Sequence, residues 1–137
     1  MSFGRAASAS ARPNGMDPCP CGSGASFDGC CAPMLRGESS PTPEQLMRSR
    51  YTAFVVGDTA HPARSWHPRT RPEEIAIDPD VRWTGLQIID APPADGDTGV
   101  VEFRAEWIQD GDRGALHERS RFVRLRGRWV YVDGDVR

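Results

Sequence analysis

From residue 42 onward the chain carries two hydrophobic rhythms in succession, the first of helical period and the second alternating. Thr42 followed by Pro43, with Gln45 three residues after the threonine, reads as a capping box: the hydroxyl oxygen can accept a first-turn amide, and proline gives up an amide that would have no partner there. Met47, Tyr51, Phe54 and Val55 then fall on one stripe, leaving Arg48, Ser49 and Thr52 to point elsewhere, and Gly57 suits the stop. A short second helix is expected from Thr59 to Trp66, ended by Pro68, and one further turn from Pro72 to Ile77. Val81 to Ile89, Gly99 to Ile108, Ala115 to Leu125 and Arg128 to Val132 read as four strands joined by turn-rich loops, which predicts an antiparallel sheet. In the second strand Val101, Phe103, Ala105 and Trp107 alternate with Glu102, Arg104 and Glu106, the mark of a sheet with one face on a core. Helices first and a meander afterwards define an α+β domain, with the helix from Pro43 lying across the sheet.

The third strand raises the question of a pocket. Leu116, Glu118, Ser120 and Phe122 share one face, and His117, Arg119, Arg121 and Val123 the other. Pairing Trp107 with Leu116 would put Glu118 and Ser120 on the inward face, and a carboxylate there needs a partner, for which Arg48 or Arg50 from the helix is the candidate. Such a pair either fixes helix to sheet or lines a ligand pocket, in which Arg48, Arg50, Tyr51, Trp66, His117, Glu118 and Ser120 are the candidate lining groups. Trp66 with His67 and Pro68 reads as a packed aromatic and a helix stop, and His61 is expected to be solvated. No nucleophile motif, phosphate-binding glycine loop or diagnostic carboxylate pair stands in the sequence, so a catalytic residue cannot be named.

Upstream of the helix the chemistry changes. All four cysteines lie between Cys19 and Cys31, as C-x-C and an adjacent pair joined by a glycine-rich loop. Cys19, Cys21, Cys30 and Cys31 supply the four thiolates a structural zinc ion takes, with Gly22 and Gly24 free to fold the loop back and Ser23 able to donate to sulfur. Cross-paired disulfides would need an oxidising compartment, and an iron–sulfur cluster would need spacings that are absent. One structural zinc is the favoured reading, in a knuckle from residue 17 to about 35. Met1 to Met16 is small, polar and aperiodic and is expected to be disordered; Met16 stands as an alternative start to Met1.

Composition narrows the classes. The segment before the knuckle has no apolar h-region and no stretch approaches the length of a bilayer span, so a cytoplasmic protein off the membrane is expected. All 17 basic residues are arginine, which excludes lysine Schiff-base chemistry. The net charge of −2 argues against a general attraction to nucleic acid, although Arg119, Arg121, Arg124, Arg126 and Arg128 gather near the end of the chain.

The run CPCGSGASFDGCC closely resembles the SEC-C motif, the small zinc-binding element at the C-terminus of the SecA translocation ATPase. The resemblance implies that Cys19, Cys21, Cys30 and Cys31 hold the metal, with Phe27 in the motif's aromatic place. That run together with the segment Pro43 to Phe54, Trp66-His67-Pro68, Trp83 to Leu86, Val100 to Phe103, His117 to Phe122 and Trp129 to Gly134 resembles the YchJ family of bacterial proteins. What it implies is a SEC-C knuckle followed, over residues 42–134, by a domain similar to nuclear transport factor 2, a cone of helices cupped by a curved antiparallel sheet. That fold also houses ketosteroid isomerase and scytalone dehydratase, but neither catalytic constellation can be located here.

Three functional expectations follow. The SEC-C resemblance implies a non-enzymatic adaptor that docks a protein or ribosomal partner through the knuckle, with Arg36 contributing. The second is an enzyme or ligand carrier using a cavity in the cone, which a cone filled by Tyr51, Trp66 and Phe103 would exclude. The third is nucleic-acid binding by the arginine-rich hairpin.

Overall fold

The structure, a computed structural model, describes residues 12–137. It comprises helices α1 (Ala32–Leu35), α2 (Pro43–Val56) and α3 (Ala60–Arg64), then strands β1 (Val81–Asp90), β2 (Thr98–Gln109), β3 (Asp112–Leu125) and β4 (Arg128–Val136). The strands form one antiparallel sheet in the order β1-β2-β3-β4. Breaks in register at Trp83/Gly85, Ile88/Asp90 and Arg121/Phe122 bend it. No described helix is long and apolar enough to cross a membrane.

Helix α2 starts and stops where its sequence says. Thr42 Oγ1 accepts the Gln45 amide at 3.0 Å, and Gly57 ends the helix at φ 78°, a conformation that glycine adopts without strain. Its buried surface is much wider than the expected stripe. Ser49 and Thr52 are fully enclosed and Arg50 is 4% exposed, whereas Phe54 and Val55 are only half-buried. The cause is crowding on several sides: the sheet packs on one flank of α2, the cysteine knuckle on a second and α3 on a third. The expected second helix shortens to Ala60–Arg64, because Trp66 leaves it to bridge in parallel to Tyr131. There the Tyr131 amide donates to Ser65 O at 2.8 Å and the His67 amide to Tyr131 O at 2.7 Å. The turn expected from Pro72 to Ile77 does not form; Glu73 and Glu74 are exposed, and an isolated turn has no packing to offset its nucleation cost.

The β2–β3 hairpin closes through Asp110 (φ 51°) and Gly111 (φ 85°), a two-residue turn that matches strand twist. Trp107 therefore faces Gly114, and Leu116 faces Ala105, instead of the expected pairing of Trp107 with Leu116. The indole occupies the space over Gly114, where an added Cβ would come within 2.2 Å of it. Because the register moves by two residues, each side chain keeps its face: Glu118 sits opposite Phe103 and Ser120 opposite Val101, both inward.

The knuckle is not a separate appendage. Cys19, Cys21, Phe27 and Leu35 belong to the same apolar cluster as Leu46, Met47, Tyr51, Val101, Phe103, Phe122 and Trp129. The end of α1 and the segment that follows it are tied down, since Arg64 donates to Met34 O and Leu35 O and Arg128 donates to Gly37 O. The expected disorder of Met1 to Met16 lies outside the described residues up to residue 11. From there, Arg12 pairs with Asp58 at 3.0 Å, Asn14 O accepts the Asp17 amide and Gly15 O accepts the Asp28 amide, so the knuckle's hydrogen bonding begins before Asp17.

His61 is 3% exposed rather than solvated, with Nε2 2.8 Å from Ser49 Oγ. Ser49 Oγ donates to Leu46 O, so it accepts from the imidazole N–H. Burial first, then the charges of Arg64 and Arg50, pull His61 from 6.5 down to about 4. Between those values the unfolded chain binds the extra proton, so the stability His61 contributes is complete above pH 6.5 and is lost as pH falls toward 4. Urea denaturation at pH 7 and 5.5 should show the native protein losing about 1 kcal/mol that His61→Gln does not lose. Parallel losses in both proteins would place the titration elsewhere.

Candidate metal centre and ligand cavity

The knuckle is a tight turn closed by backbone. Cys19 N donates to Ala25 O at 2.9 Å and Phe27 N to Asp17 O at 2.9 Å, while Gly22 (φ 77°) and Gly24 (φ 90°) reverse the chain between them. Cys30 N bonds Phe27 O, and Cys31 occupies the N-cap of α1, which turns the second pair of thiols toward the first. All four cysteines are buried and their Sγ atoms lie within 4.8 Å of one another, with Cys21 to Cys30 at 3.6 Å and Cys30 to Cys31 at 3.9 Å. A tetrahedron with metal–sulfur bonds of about 2.3 Å has edges of about 3.8 Å, so these residues fit a metal ion held by four thiolates.

The electrostatics agree with that fit. Hydrogen bonds from Cys19 and Cys31 pull the Cys21 thiol far down, and hydrogen bonds with Cys19 first and Cys21 second push Cys31 up. Ionisation of Cys21 thus opposes ionisation of Cys31, and a dication among the sulfurs would relieve that opposition. Further donors complete the shell. Ser23 Oγ lies 3.2 Å from Cys30 Sγ, Gln45 Nε2 donates to Cys30 Sγ at 3.6 Å, and Thr52 Oγ1 donates to Cys31 Sγ at 3.4 Å. Gln45 and Thr52 come from α2 and were not apparent in the sequence. The side chain of Gln45 reaches a sulfur instead of closing the capping box.

A second feature lies on the sheet side of α2: a cavity of about 220 Å³ walled by Met47, Tyr51, Trp66, Trp83, Phe103 and Tyr131. Its polar side chains include Glu118, Ser120 and Arg50, and Trp66 in its wall has a buried Nε1 without a partner among the described residues. Glu118 Oε2 accepts the hydroxyls of Ser120 at 2.7 Å and Tyr131 at 2.8 Å, and Oε1 has no donor among the described residues. Burial, followed by the neighbouring Glu118, pushes the Tyr131 phenol up, so it remains a donor; burial likewise pushes Tyr51 up to about 12. Arg50 lies between two rings, 4.7 Å from Trp66 and 4.6 Å from Tyr131, with Nη1 donating to Pro62 O and Ser65 Oγ at 2.9 Å each. Burial pulls its guanidinium down to about 10, which leaves it cationic at neutral pH.

Of the candidate pocket residues, Arg50, Tyr51, Trp66, Glu118 and Ser120 line this cavity, and Arg48 and His117 do not. Arg48 faces the knuckle, bonding Glu44 at 2.9 Å and Cys21 O at 2.9 Å. His117 is on the outer face of β3, as strand alternation requires, 2.7 Å from Glu102. The expected arginine–carboxylate pair at Glu118 is replaced by hydroxyl donors, because Arg50 is held instead by the rings and α3. On the same outer face, Arg119 pairs with Asp90 and Glu102, and Arg121 with Asp133 and Asp135. The hairpin arginines are thus largely engaged by acids.

Helices cupped by a curved antiparallel meander, carrying an N-terminal cluster of four thiols, define an α+β protein of the kind that joins a SEC-C motif to an NTF2-like domain. Residues 42–134 match the family described as YchJ, middle NTF2-like domain, and the chain belongs to that family. It is 52% identical over 123 residues to a UPF0225 protein of Streptomyces coelicolor, covering 86% of this chain and 94% of the relative. A UPF0225 protein of Deinococcus radiodurans is 50% identical over 118 residues, covering 85% and 87%. The solution structure of a SEC-C motif containing protein from Rhodopseudomonas palustris superposes with a TM-score of 0.77 at 33% identity, over 87% of this chain and 98% of that one. The fold is shared as well by a sec-c motif containing protein from Psychrobacter arcticus, with a TM-score of 0.74 at 24% identity over 90% and 84%.

Thr52→Val keeps the shape of α2 and removes the donor to Cys31. Metal transfer from the purified protein to a coloured chelator should accelerate about 10- to 100-fold in this variant, and Thr52→Ser should restore the native rate. An unchanged rate in Thr52→Val would reduce Thr52 to a packing role.

Proposed function

We propose that this is a zinc-braced small-molecule-binding protein. Four soft thiolate donors at tetrahedral spacing favour zinc, and a closed set of four leaves no position for a reacting water, so the ion is structural. When bound, it supplies the charge that neutralises Cys19, Cys21, Cys30 and Cys31 and secures the knuckle on α2. The cone cavity receives the ligand. At about 220 Å³ it is smaller than the roughly 300–1,000 Å³ of drug-sized sites, which suits a molecule about the size of one ring.

The observation that carries this reading is the half-satisfied Glu118. One carboxyl oxygen takes two protein hydroxyls, the other has no donor among the described residues, and the residue, half-buried, lines an otherwise mostly apolar cavity. A carboxyl group in such surroundings is costly unless its remaining lone pairs are served, so the favoured ligand has an apolar body and a hydrogen-bond donor at its head. Arg50 stiffens the wall behind Tyr131 and keeps its hydroxyl aimed at Glu118.

A second reading, docking of a protein or ribosomal partner through the knuckle, is supported by its outward loop. Gly22, Ser23, Gly24 and Ala25 are exposed, as is Arg36 beyond α1. A Cβ added at Gly24 would meet nothing within 4 Å.

Native mass spectrometry of protein purified without chelator or added metal should show one zinc with four thiol protons lost. Titration of the zinc-loaded protein with phenol, benzylamine and benzoate, followed by tryptophan fluorescence, should give saturable binding for the two donor-headed probes and none for benzoate. Glu118→Gln should weaken that binding about tenfold. Absence of saturation with phenol and benzylamine, or equal affinity in Glu118→Gln, would remove the cavity reading.

A further inference from the structure

A second concavity shares no lining residue with the cone cavity. It lies where the α1–α2 connection, α3 and the β3–β4 turn meet, and its volume is about 400 Å³. Three guanidinium groups, Arg64, Arg126 and Arg128, face it against one carboxylate, Glu38, which is largely exposed and lies 4.0 Å from Arg36. Arg119, Arg121 and Arg124 of the sheet sit on acids, yet none of these three around the cleft is within ion-pair distance of a carboxylate among the described residues. Residues 1–11 contain no aspartate or glutamate, so they bring no acidic side chain to it either.

Two of the cations are already held in place. Arg64 gives one nitrogen to Met34 O and Leu35 O, and Arg128 gives one to Gly37 O. These acceptors are neutral, so they orient the guanidinium groups without cancelling their charge, and the remaining N–H groups are preorganised for an anion. Ser40 adds an independent pointer. It is 8% exposed, it lines the cleft, and its Oγ has no hydrogen-bond partner. A buried hydroxyl left unpaired costs about 1–3 kcal/mol, which a ligand oxygen would recover. Apart from the polar Ser39, His61 and Ser65, the rest of the lining is apolar and includes Leu46, Leu125, Trp129 and Val130, of which Leu125 is partly exposed.

We propose that this cleft binds a small organic phosphate, its phosphate held by Arg64, Arg126 and Arg128 with Ser40, and its organic part against Leu125 and Val130. Planar guanidinium forks match tetrahedral oxyanions in pairs, and three of them around one concavity favour a phosphate monoester over a singly charged carboxylate. A concave cleft on an acidic chain suits a compact ligand, whereas a nucleic-acid backbone is met by an extended basic track.

The test uses the full-length, zinc-loaded protein and adenosine 5′-monophosphate as probe, followed by calorimetry and amide chemical shifts. Saturable binding is expected, displaced by inorganic phosphate and absent for adenosine, with shifts centred on Ser40, Arg64 and Arg126. Arg126 stands in the left-handed region at φ 52°, which asparagine tolerates, so Arg126→Asn keeps the turn and should weaken binding about tenfold; Ser40→Ala should weaken it less. Glu118→Gln should leave it unchanged, which separates this site from the cone cavity. No saturation with the nucleotide, unchanged affinity in Arg126→Asn, or loss of binding in Glu118→Gln would overturn the assignment. So would tight binding of a single-stranded RNA lacking terminal phosphates that the nucleotide cannot displace.

Discussion

Four sulfur ligands brought within 4.8 Å of one another are tolerable only if they are screened and enclosed, and this requirement organises the molecule. The thirteen residues from Cys19 to Cys31 cannot enclose the cluster alone, so α2 serves as its lid. That explains why a helix with an ordinary amphipathic stripe buries serine, threonine and arginine as well. Thr52 and Gln45 point at the sulfurs, Ser49 at His61, and Arg50 and Tyr51 at the sheet. One helix is thus the common wall of the cysteine cluster and the cavity, and a disturbance on one flank has a short mechanical path to the other.

The absence of lysine gives the electrostatics their character. Arginine here does three separate tasks: it pairs with acids along the outer face of the sheet, it stacks on rings, as Arg50 does on Trp66 and Tyr131 and Arg124 on Trp129, and it braces backbone carbonyls at the knuckle junction. A planar, permanently charged group can do all three; an ammonium group would do only the first as well. Stacking also explains how Arg50 stays buried without a carboxylate within ion-pair reach. Its charge is met by ring faces, a serine hydroxyl and a carbonyl, with Glu118 contributing a field at longer range.

Features of short range were legible in the residues. The cysteine spacing, the start of α2 at Thr42 and Pro43, its stop at Gly57 and the inward face of β3 all follow from local chemistry. Features that depend on what packs against what were not. Thr52 looks like an outward position until the knuckle is laid beside it, and His61 looks like a loop residue until Ser49 closes over it. Arg48 and Arg50 are two residues apart and alike in sequence, yet they face the cysteine knuckle and the cavity respectively. The β2–β3 register carries a local signal, since Asp110-Gly111 favours a two-residue turn, and that turn sets Trp107 opposite Gly114 rather than Leu116.

The bridge between Trp66 and Tyr131 has a consequence for assembly. A terminal strand offers a ladder of free amides and carbonyls to any extended chain that approaches, including another copy of itself. On β4 the central rung of that ladder is already taken, by Ser65 O on one side of Tyr131 and the His67 amide on the other. A guest strand laid along that margin would have to break both bonds before forming its own. Growth of the sheet by strand addition is thereby discouraged at this end.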